Sequence, residues 1–475
     1  MTAQVDVLIV GAGPSGLTLG IDLARRGVDA LVVERADGLF PGSRGKGIQP
    51  RTLEVFDDLG VLDAIRAAGG TYPVGMIWQN GRRTGEHRMF DLVEATEDSP
   101  YAEGWMVPQW RTQRILLARL EELGGRVDFG REVVGLAQNE EGVTVRFASG
   151  AAPTARYVVA ADGGRSTVRR ALGIGMTGET VDPSPMLVAD VRITGLDRDN
   201  WHIFPTSAEG DGFMAICPLA GTEDFQVVAG FPEGTAVDLS LDGVRKVVAA
   251  RSHLAPEDVT EVRWASDFRP RAALADRFRT GRVFLAGDAA HIHSPAGGQG
   301  LNTGVQDACN LGWKLGAVLR DGVPDSLLDT YEEERRPIAA DMLALSTSVH
   351  RGETRRGGAT RQLGLGYRTS SLTEETRRSP GPVRAGDRAP DGTVGGIRLF
   401  DAFRGPHWTL LTTDGDSAHK GYGAGVFLIR PDGYVGWAGE TAQGLAEYAG
   451  RVGAEGAHRI PYRSRPAACP GSPSE

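Results

Sequence analysis

Val5-Asp-Val-Leu-Ile-Val10, running straight into Gly11-Ala-Gly13-Pro-Ser15-Gly16, is the stretch on which the fold of this chain turns. The first run is short and apolar and reads as a buried parallel strand that stops at Gly11. From Ser15 to Arg26 the apolar residues Leu17, Leu19, Ile21, Leu23 and Ala24 fall roughly on one face, which predicts a helix stopped by Gly27. Val28 to Val33 is then a second strand, with Glu34 at its end, about 20 residues past the glycines. Each small residue has a separate task in such a unit. Gly11 permits the tight turn, Gly13 lets the backbone approach a pyrophosphate, and Gly16 lets helix pack on strand, while Glu34 can accept hydrogen bonds from ribose hydroxyls. A lone GxGxxG says little, but set inside strand, helix, strand and acidic residue it specifies dinucleotide binding.

Two more buried strands deliver comparable loops. Ala155 to Ala161 runs into Asp162-Gly163-Gly-Arg165-Ser-Thr167, and Gly281 to Gly287 runs into Gly287-Asp288-Ala-Ala-His291. The three signatures in this order point to FAD. Asp288, at a strand end, can accept from a ribityl or ribose hydroxyl, while Arg44 and Gln109 can reach phosphate or adenine. The loop Pro295-Ala-Gly-Gly-Gln-Gly300 precedes a helix expected over Thr303 to Leu319. Amides at that helix start suit the flavin pyrimidine carbonyl, whose negative charge grows on reduction, which places Pro295 and Gly298 among the candidate catalytic positions.

With 475 residues, two or three domains are expected. Hydrophobic content of 41% and charged content of 24% are ordinary for a globular protein. The formal charge of -9 gives no support for nucleic-acid or anionic-membrane binding. Cys217, Cys309 and Cys469 form no CxxC or Cys/His cluster, so disulfides and structural zinc are not expected and a cytoplasmic setting is. The N-terminal apolar run is too short for a signal peptide, and no apolar run is long enough to span a membrane.

Along the chain, residues 36 to 46 read as a loop and Pro50 to Leu59 as a helix, followed by strand-like pieces over 71 to 109. A helix over Thr112 to Leu123 and strands over Val127 to Leu136 and Val143 to Phe147 come next. From Pro185 to Ala265 short β-branched strands follow one another: Met186 to Ile193, Trp201 to Pro205, Gly212 to Pro218 and Phe225 to Phe231. An antiparallel sheet able to roof a bulky substrate is the natural reading. Arg355-Arg-Gly-Gly and Arg377-Arg-Ser-Pro-Gly-Pro mark a linker. A small unit then contains Trp408-Thr-Leu-Leu-Thr and two strands around Pro431-Asp-Gly433, and Ser464 to Glu475 are expected to be disordered. The fold class is mixed α/β. The expected domains are an FAD-binding domain over 1–180 and 266–355, a substrate domain over 181–265 to which strands of 71–109 contribute, and a C-terminal domain over 390–460.

The order and wording of these motifs, above all Gly287-Asp-Ala-Ala-His-Ile-His-Ser-Pro-Ala-Gly-Gly-Gln-Gly-Leu-Asn302 through Asn310-Leu-Gly-Trp-Lys314-Leu, resemble the group A flavoprotein aromatic hydroxylases, the para-hydroxybenzoate hydroxylase-like family. Within it the chain looks most like actinomycete hydroxylases of aromatic polyketides and the rifampicin monooxygenases. The resemblance implies a Rossmann-like FAD domain and a C-terminal thioredoxin-like unit without a redox cysteine pair, here trimmed between Leu411 and Gly425. It implies FAD contacts from Gly11, Gly13, Ser15, Gly16, Glu34, Arg35, Arg44, Gln109, Val133, Asp162, Thr167, Asp288, Leu301 and Asn302. It also implies oxidation of NAD(P)H, bound transiently near Asp162 to Arg165 because no second GxGxxG occurs, and transfer of oxygen from a flavin C4a-hydroperoxide to an aromatic substrate. In the family the flavin swings between exposed and buried positions, and Lys46 stands where relatives place a basic or small residue beside it, so a gating or substrate role is expected. The partners are therefore the aromatic substrate, molecular oxygen and NAD(P)H, with no nucleic acid or membrane, in a monomer or homodimer.

Baeyer-Villiger or epoxide chemistry and a non-monooxygenase flavoprotein stay open as alternatives. Against a halogenase, the nearest string to WxWxIP is Trp201-His-Ile-Phe-Pro205. His291 and His293, two apart in a loop, are poor metal grammar and read as part of the flavin loop, and no metal is expected. Tyr72, Trp78, Trp105, Trp201, Phe204 and Phe213 could line a pocket for a planar substrate, although core packing explains any single one better. Cys217 and Cys309 read as small core residues. No base for a phenol stands out.

Overall fold

The Gln4–Val10 strand pairs in parallel with Ala30–Val33 on one side and Thr154–Ala160 on the other, and the latter pairs in parallel with Val283–Leu285. These strands belong to an eight-stranded sheet. Apolar residues on every strand, such as Val7, Leu8, Ile9, Val158, Val159 and Phe284, are fully buried, as parallel strands covered on both faces must be. Each signature loop leaves the carboxyl end of one of three adjacent strands. Gly11 N donates to Val33 O at 2.8 Å, Ala161 N to Val10 O at 2.8 Å, and Ala286 N to Ala160 O at 2.9 Å, so the ladder runs to the lip of each loop. Segments far apart in sequence thereby meet at one crevice, where open α/β sheets bind ligands.

The computed structural model describes residues 4–151, 153–206, 212–414 and 421–460. Cys469 and the expected disorder of Ser464 to Glu475 lie outside the described residues. Helix Pro14–Ala24, with proline in its first turn, packs against helix Gly300–Arg320. Helix Asp329–His350, which the sequence reading left out, packs against the same long helix.

A seven-stranded sheet has the order Val259–Phe268, Met186–Ile193, Phe225–Gly230, Met214–Pro218, Asn200–Phe204, Val74–Gln79 and Arg82–His87. Its pairings are antiparallel except that of Asn200–Phe204 with Val74–Gln79. Alternation sends Leu187, Ala189, Val191, Met214, Ile216, Phe225 and Val227 to one face, into a core shared with Val244 and Val248 of helix Leu241–Arg251. Period two then puts Asp190, Gln226 and Cys217 on the opposite face.

A separate compact unit comprises, among the described residues, 97–100, 366–414 and 421–460. Its five-stranded sheet has the order Glu374–Glu375, Val435–Gly439, Ala424–Ile429, Thr409–Asp414 and His458–Arg459. Leu411, Tyr422, Phe427, Ile429, Val435 and Ile460 form its core. Of the two stretches expected to mark a linker, Arg355 to Gly358 falls in the first compact unit, while Arg377 to Pro382 falls inside this one, which begins at Gly366. Glu374 and Glu375 pair in parallel with Trp437 and Ala438, and Arg377 is buried with its Nε donating to Glu375 Oε1 at 2.7 Å. Charged side chains satisfied by one another can enter a core, which composition does not reveal.

Candidate active site

Around the first loop the glycines divide into two kinds. Gly11 has φ +109°, and a Cβ there would strike the Ala161 carbonyl; a Cβ at Gly16 would strike the Gly11 carbonyl. At Gly13 a Cβ would meet nothing within 4 Å, so the loop turns an open side outward. Ser15 is wedged where Gly287 and Gly304 approach, since a Cβ on either would meet its hydroxyl. Glu34 braces the same loop, its Oε2 accepting from Ala12 N at 3.0 Å and its Oε1 from Ala36 N at 3.0 Å. Arg131 N donates to Glu34 O at 2.8 Å, which brings buried Val133 alongside, and Arg35 is exposed.

The second and third loops close on the first. Asp162 Oδ2 accepts from Thr167 N at 2.8 Å and Val168 N at 3.3 Å, while its Oδ1 is buried without a hydrogen-bond partner. Burial pushes this carboxyl up, with the surrounding donors pulling it back. Burial likewise pushes up Asp288, opposed by His291 and Arg44, although its side chain keeps accessible surface; a carboxyl on the floor of a cleft has both properties. The Arg44 guanidinium lies 4.9 Å from the centre of the Phe40 ring and 6.0 Å from that of Trp264. Gln109 Oε1 accepts from Gly45 N at 2.9 Å, fixing the segment that carries Arg44. A glycine cradle open at Gly13 and an orphaned buried acceptor at Asp162 fit the phosphates and hydroxyls of FAD.

Asn302 takes a role the sequence did not suggest. Its Oδ1 accepts from Gln49 N at 2.8 Å, and its Nδ2 donates to Gly47 O at 2.9 Å and Gly298 O at 2.8 Å. The side chain thus staples the 47–49 segment to the loop at Gly298, which leaves the backbone of Leu301 and Asn302 at the helix start as the part able to meet a flavin. Gly298 holds φ +63°, and its N donates to Pro295 O at 3.1 Å, giving the loop a rigid turn.

Behind this loop lies a buried charged chain that was not anticipated. His291 Nε2 is 2.6 Å from Asp307 Oδ2, His293 Nε2 is 2.9 Å from His291 Nδ1, and Arg335 Nε donates to Asp307 Oδ1 at 2.7 Å. Burial alone would raise Asp307, yet His291 and Arg335 outweigh it and hold it at about 2. Burial, aided by His291, pushes His293 down to about 3, so its imidazole stays neutral. A signal existed: Asp307 is the sole acidic residue of helix Gly300–Arg320. Among the described residues, no group of three His, Cys, Asp or Glu side chains stands together as metal ligands would.

Residues 40–47 cross from this crevice onto the polar face of the seven-stranded sheet. Asp190 is directly opposite Trp264 and Gln226, Gln226 is opposite Cys217, and Trp201 lies one step beyond the His202–Ile216 pair, giving one row across five strands. Gly42 sits on the Trp264 indole, Gln226 Nε2 donates to Ser43 O, and Lys46 Nζ donates to Gln226 Oε1 at 2.7 Å. Lys46 Nζ is 4.4 Å from the centre of the Trp201 ring, which stacks on Tyr72 at 6.4 Å. Burial pushes the Tyr72 phenol up to about 12, so it stays protonated. Of the other aromatics expected at a pocket, Trp78 and Phe204 stack on each other on the helix-covered side, Trp105 pairs in a small sheet with Ile48, and Phe213 is exposed.

Asp190 is 2% exposed, and burial pushes it up to about 6, against the pull of Ser43, Gln226 and Lys46. A carboxyl raised from 3.8 to about 6 binds its proton more tightly in the folded state, so its ionisation removes stability as pH rises through that window. Asp190→Asn should therefore stabilise the protein at pH 7.5 by roughly 2 kcal/mol. It should also flatten the decline between about pH 4 and 6, checked by urea unfolding across that range.

The profile of a family described as "FAD binding domain" matches residues 4–346. The chain belongs to the group A flavoprotein aromatic hydroxylases. As a member it is an FAD-dependent monooxygenase. The hydroxylase is 44% identical to a flavin-dependent monooxygenase of Mycobacteroides abscessus, over 94% of this chain and 100% of that one. It is 34% identical to a rifampicin monooxygenase of Streptomyces venezuelae, covering 93% of this chain and 97% of that one. A solved complex of aklavinone-11 hydroxylase with FAD and aklavinone superposes with a TM-score of 0.82 at 29% identity, over 95% of this chain and 99% of that one. No described helix of the hydroxylase is long and apolar enough to cross a membrane.

Proposed function

We propose that this hydroxylase uses NAD(P)H and O2 to place one oxygen atom on a phenolic or polyketide-type aromatic compound, in antibiotic tailoring or inactivation. One observation carries the reading: the Lys46 ammonium, set against the Trp201 face beside Tyr72, lies on the segment that also carries Arg44 toward the cofactor cleft. A planar ring bearing an acidic oxygen matches that wall, the ring by stacking and the oxygen by the charge.

FAD supplies the activation of dioxygen when bound. Gly11, Gly13, Ser15 and Gly16 would receive its pyrophosphate, with Glu34, Arg35, Arg44, Gln109 and Val133 around the nucleotide. Asp288, Leu301 and Asn302 would hold the ribityl chain and ring, Asp162 and Thr167 would touch FAD where NAD(P)H meets it, and the turn from Pro295 to Gly298 would present amides to the pyrimidine edge. We read residues 1–180 and 266–355 as the cofactor domain, 181–265 as the substrate domain, and 390–460, within the unit that begins at Gly366, as a reduced thioredoxin-like fold. The cytoplasm is the proposed setting, on cysteine usage.

The test is direct. Purified protein should contain FAD, and one of rifampicin, a tetracycline, a naphthoquinone or a phenol should accelerate NAD(P)H oxidation and yield a product heavier by one oxygen atom. Protein that cannot bind added FAD would overturn the reading. Lys46→Ala should keep its FAD and lose at least tenfold of the substrate stimulation in stopped-flow reduction, about 1.4 kcal/mol or more of transition-state interaction. Unchanged stimulation would remove Lys46 from the site.

A further inference from the structure

Resting on that reading of the site, we propose that Asp190 and Gln226 are positioning residues that hold the Lys46 ammonium against Trp201, where it binds an acidic oxygen of the aromatic substrate as its anion.

The hydrogen-bonding grammar of the row permits one arrangement. An ammonium only donates, so the Gln226 carbonyl must face Lys46, as it does at 2.7 Å. The Gln226 amide nitrogen is then forced toward two acceptors, the Ser43 carbonyl and Asp190 Oδ1, the latter at 3.5 Å. Were the amide reversed, its NH2 group would oppose the ammonium and its oxygen would oppose a carboxylate. Asp190 therefore fixes the polarity of Gln226, and Gln226 fixes the place of Lys46.

The charges explain why such a device suits an anion. Among the described residues no carboxylate forms an ion pair with Lys46 within 4.0 Å. Its counter-charge is Asp190, one amide away, so Lys46 is held without being directly neutralised. An anionic oxygen arriving beside the Trp201 face can complete the pair. The groups facing Asp190 are Ser43 and Lys46 from the crossing segment, and Gln226 and Asp224 from the neighbouring strand and its approach. Asp224 is itself held by Arg192 at 3.1 Å and Arg263 at 3.6 Å. Cys217, whose thiol burial pushes up, stays neutral. Ionisation of Asp190 is thus the local event that lowers the positive potential at Lys46.

The experiment is calorimetric titration of the FAD-loaded enzyme from pH 5 to 8 with 2,4-dinitrophenolate, and with 2,4-dinitroanisole as its uncharged counterpart. Wild-type protein should prefer the anion at least tenfold at pH 5, with affinity falling as pH rises past 6. Lys46→Met should abolish the preference. Asp190→Asn should keep the preference and lose the pH step, a change that a merely structural residue would not produce. Gln226→Leu should cut the preference to below threefold and raise KM for the turnover substrate while leaving kcat within twofold. An anion preference without a pH step, or no preference in wild type, overturns this inference alone, because FAD content and the oxygenated product report separately on the proposed function.

Discussion

Asp307→Ala should cost the protein about 3–5 kcal/mol of stability, the range for breaking a buried ion pair. Asp307 and Arg335 are both fully buried, and Asp307 also receives Gly287 N at 3.1 Å and contacts His291 at 2.6 Å. Deleting the carboxylate removes a buried ion-pair partner of Arg335 that solvent cannot replace, and the loop that presents Asp288 loses its anchor at the same time. Urea unfolding at pH 7.5 would show the loss, and a change below about 1 kcal/mol would contradict it. The sign of the pH dependence follows from the carboxyl being pulled from 3.8 to about 2. The stability it contributes is whole above its ordinary value and disappears as pH falls toward 2. Acid should therefore unfold the wild-type protein along a slope that Asp307→Asn makes shallower.

Gly13→Val should yield folded protein that has lost FAD, weakened at least a hundredfold, or about 3 kcal/mol. The space beyond Gly13 is clear of protein atoms to 4 Å, so the branched side chain should cost little in folding, while the pyrophosphate should be denied its approach. Gly16→Val makes the instructive contrast, because its Cβ collides with the Gly11 carbonyl and the helix must move off the strand. The first variant should keep the thermal midpoint of FAD-stripped wild type and elute colourless; the second should also elute colourless and melt well below that midpoint. Retention of FAD by Gly13→Val would refute the assignment of this loop to the pyrophosphate.

The cofactor crevice was legible because its rules are local. Gly11, Asp162 and Asp288 each stand at the end of an apolar run, and strand ends with glycine or an acid have steric and hydrogen-bonding consequences within a few residues. The strand Met186–Ile193 was equally plain from its alternation. Helix Leu241–Arg251 was not, since four charged residues and Gly243 interrupt its apolar face and leave its buried stripe, Gly243, Val244 and Val248, thin until the sheet beneath supplies the partner. The same limit hid the row beneath Lys46. Lys46 and Gln226 are 180 positions apart, and Gln226 and Asp190 are 36 apart. They meet only through cross-strand register, which no single segment encodes. Asn302 shows a second long-range role: its motif marks a cofactor position, and its side chain joins Gly47, Gln49 and Gly298, contacts that its own segment does not encode.

Residues 40–47 have a consequence for building hybrids of this enzyme with its relatives. Gly42, Ser43 and Lys46 are fitted to Trp264 and Gln226 of the sheet, while Arg44 answers to Asp288 across the crevice. A graft that exchanged only residues 181–265 for those of another hydroxylase would leave this short segment matched to a sheet no longer present. The donor's own 40–47 must travel with its sheet, so the smallest transferable unit of specificity is discontinuous and includes residues from the middle of the flavin fold.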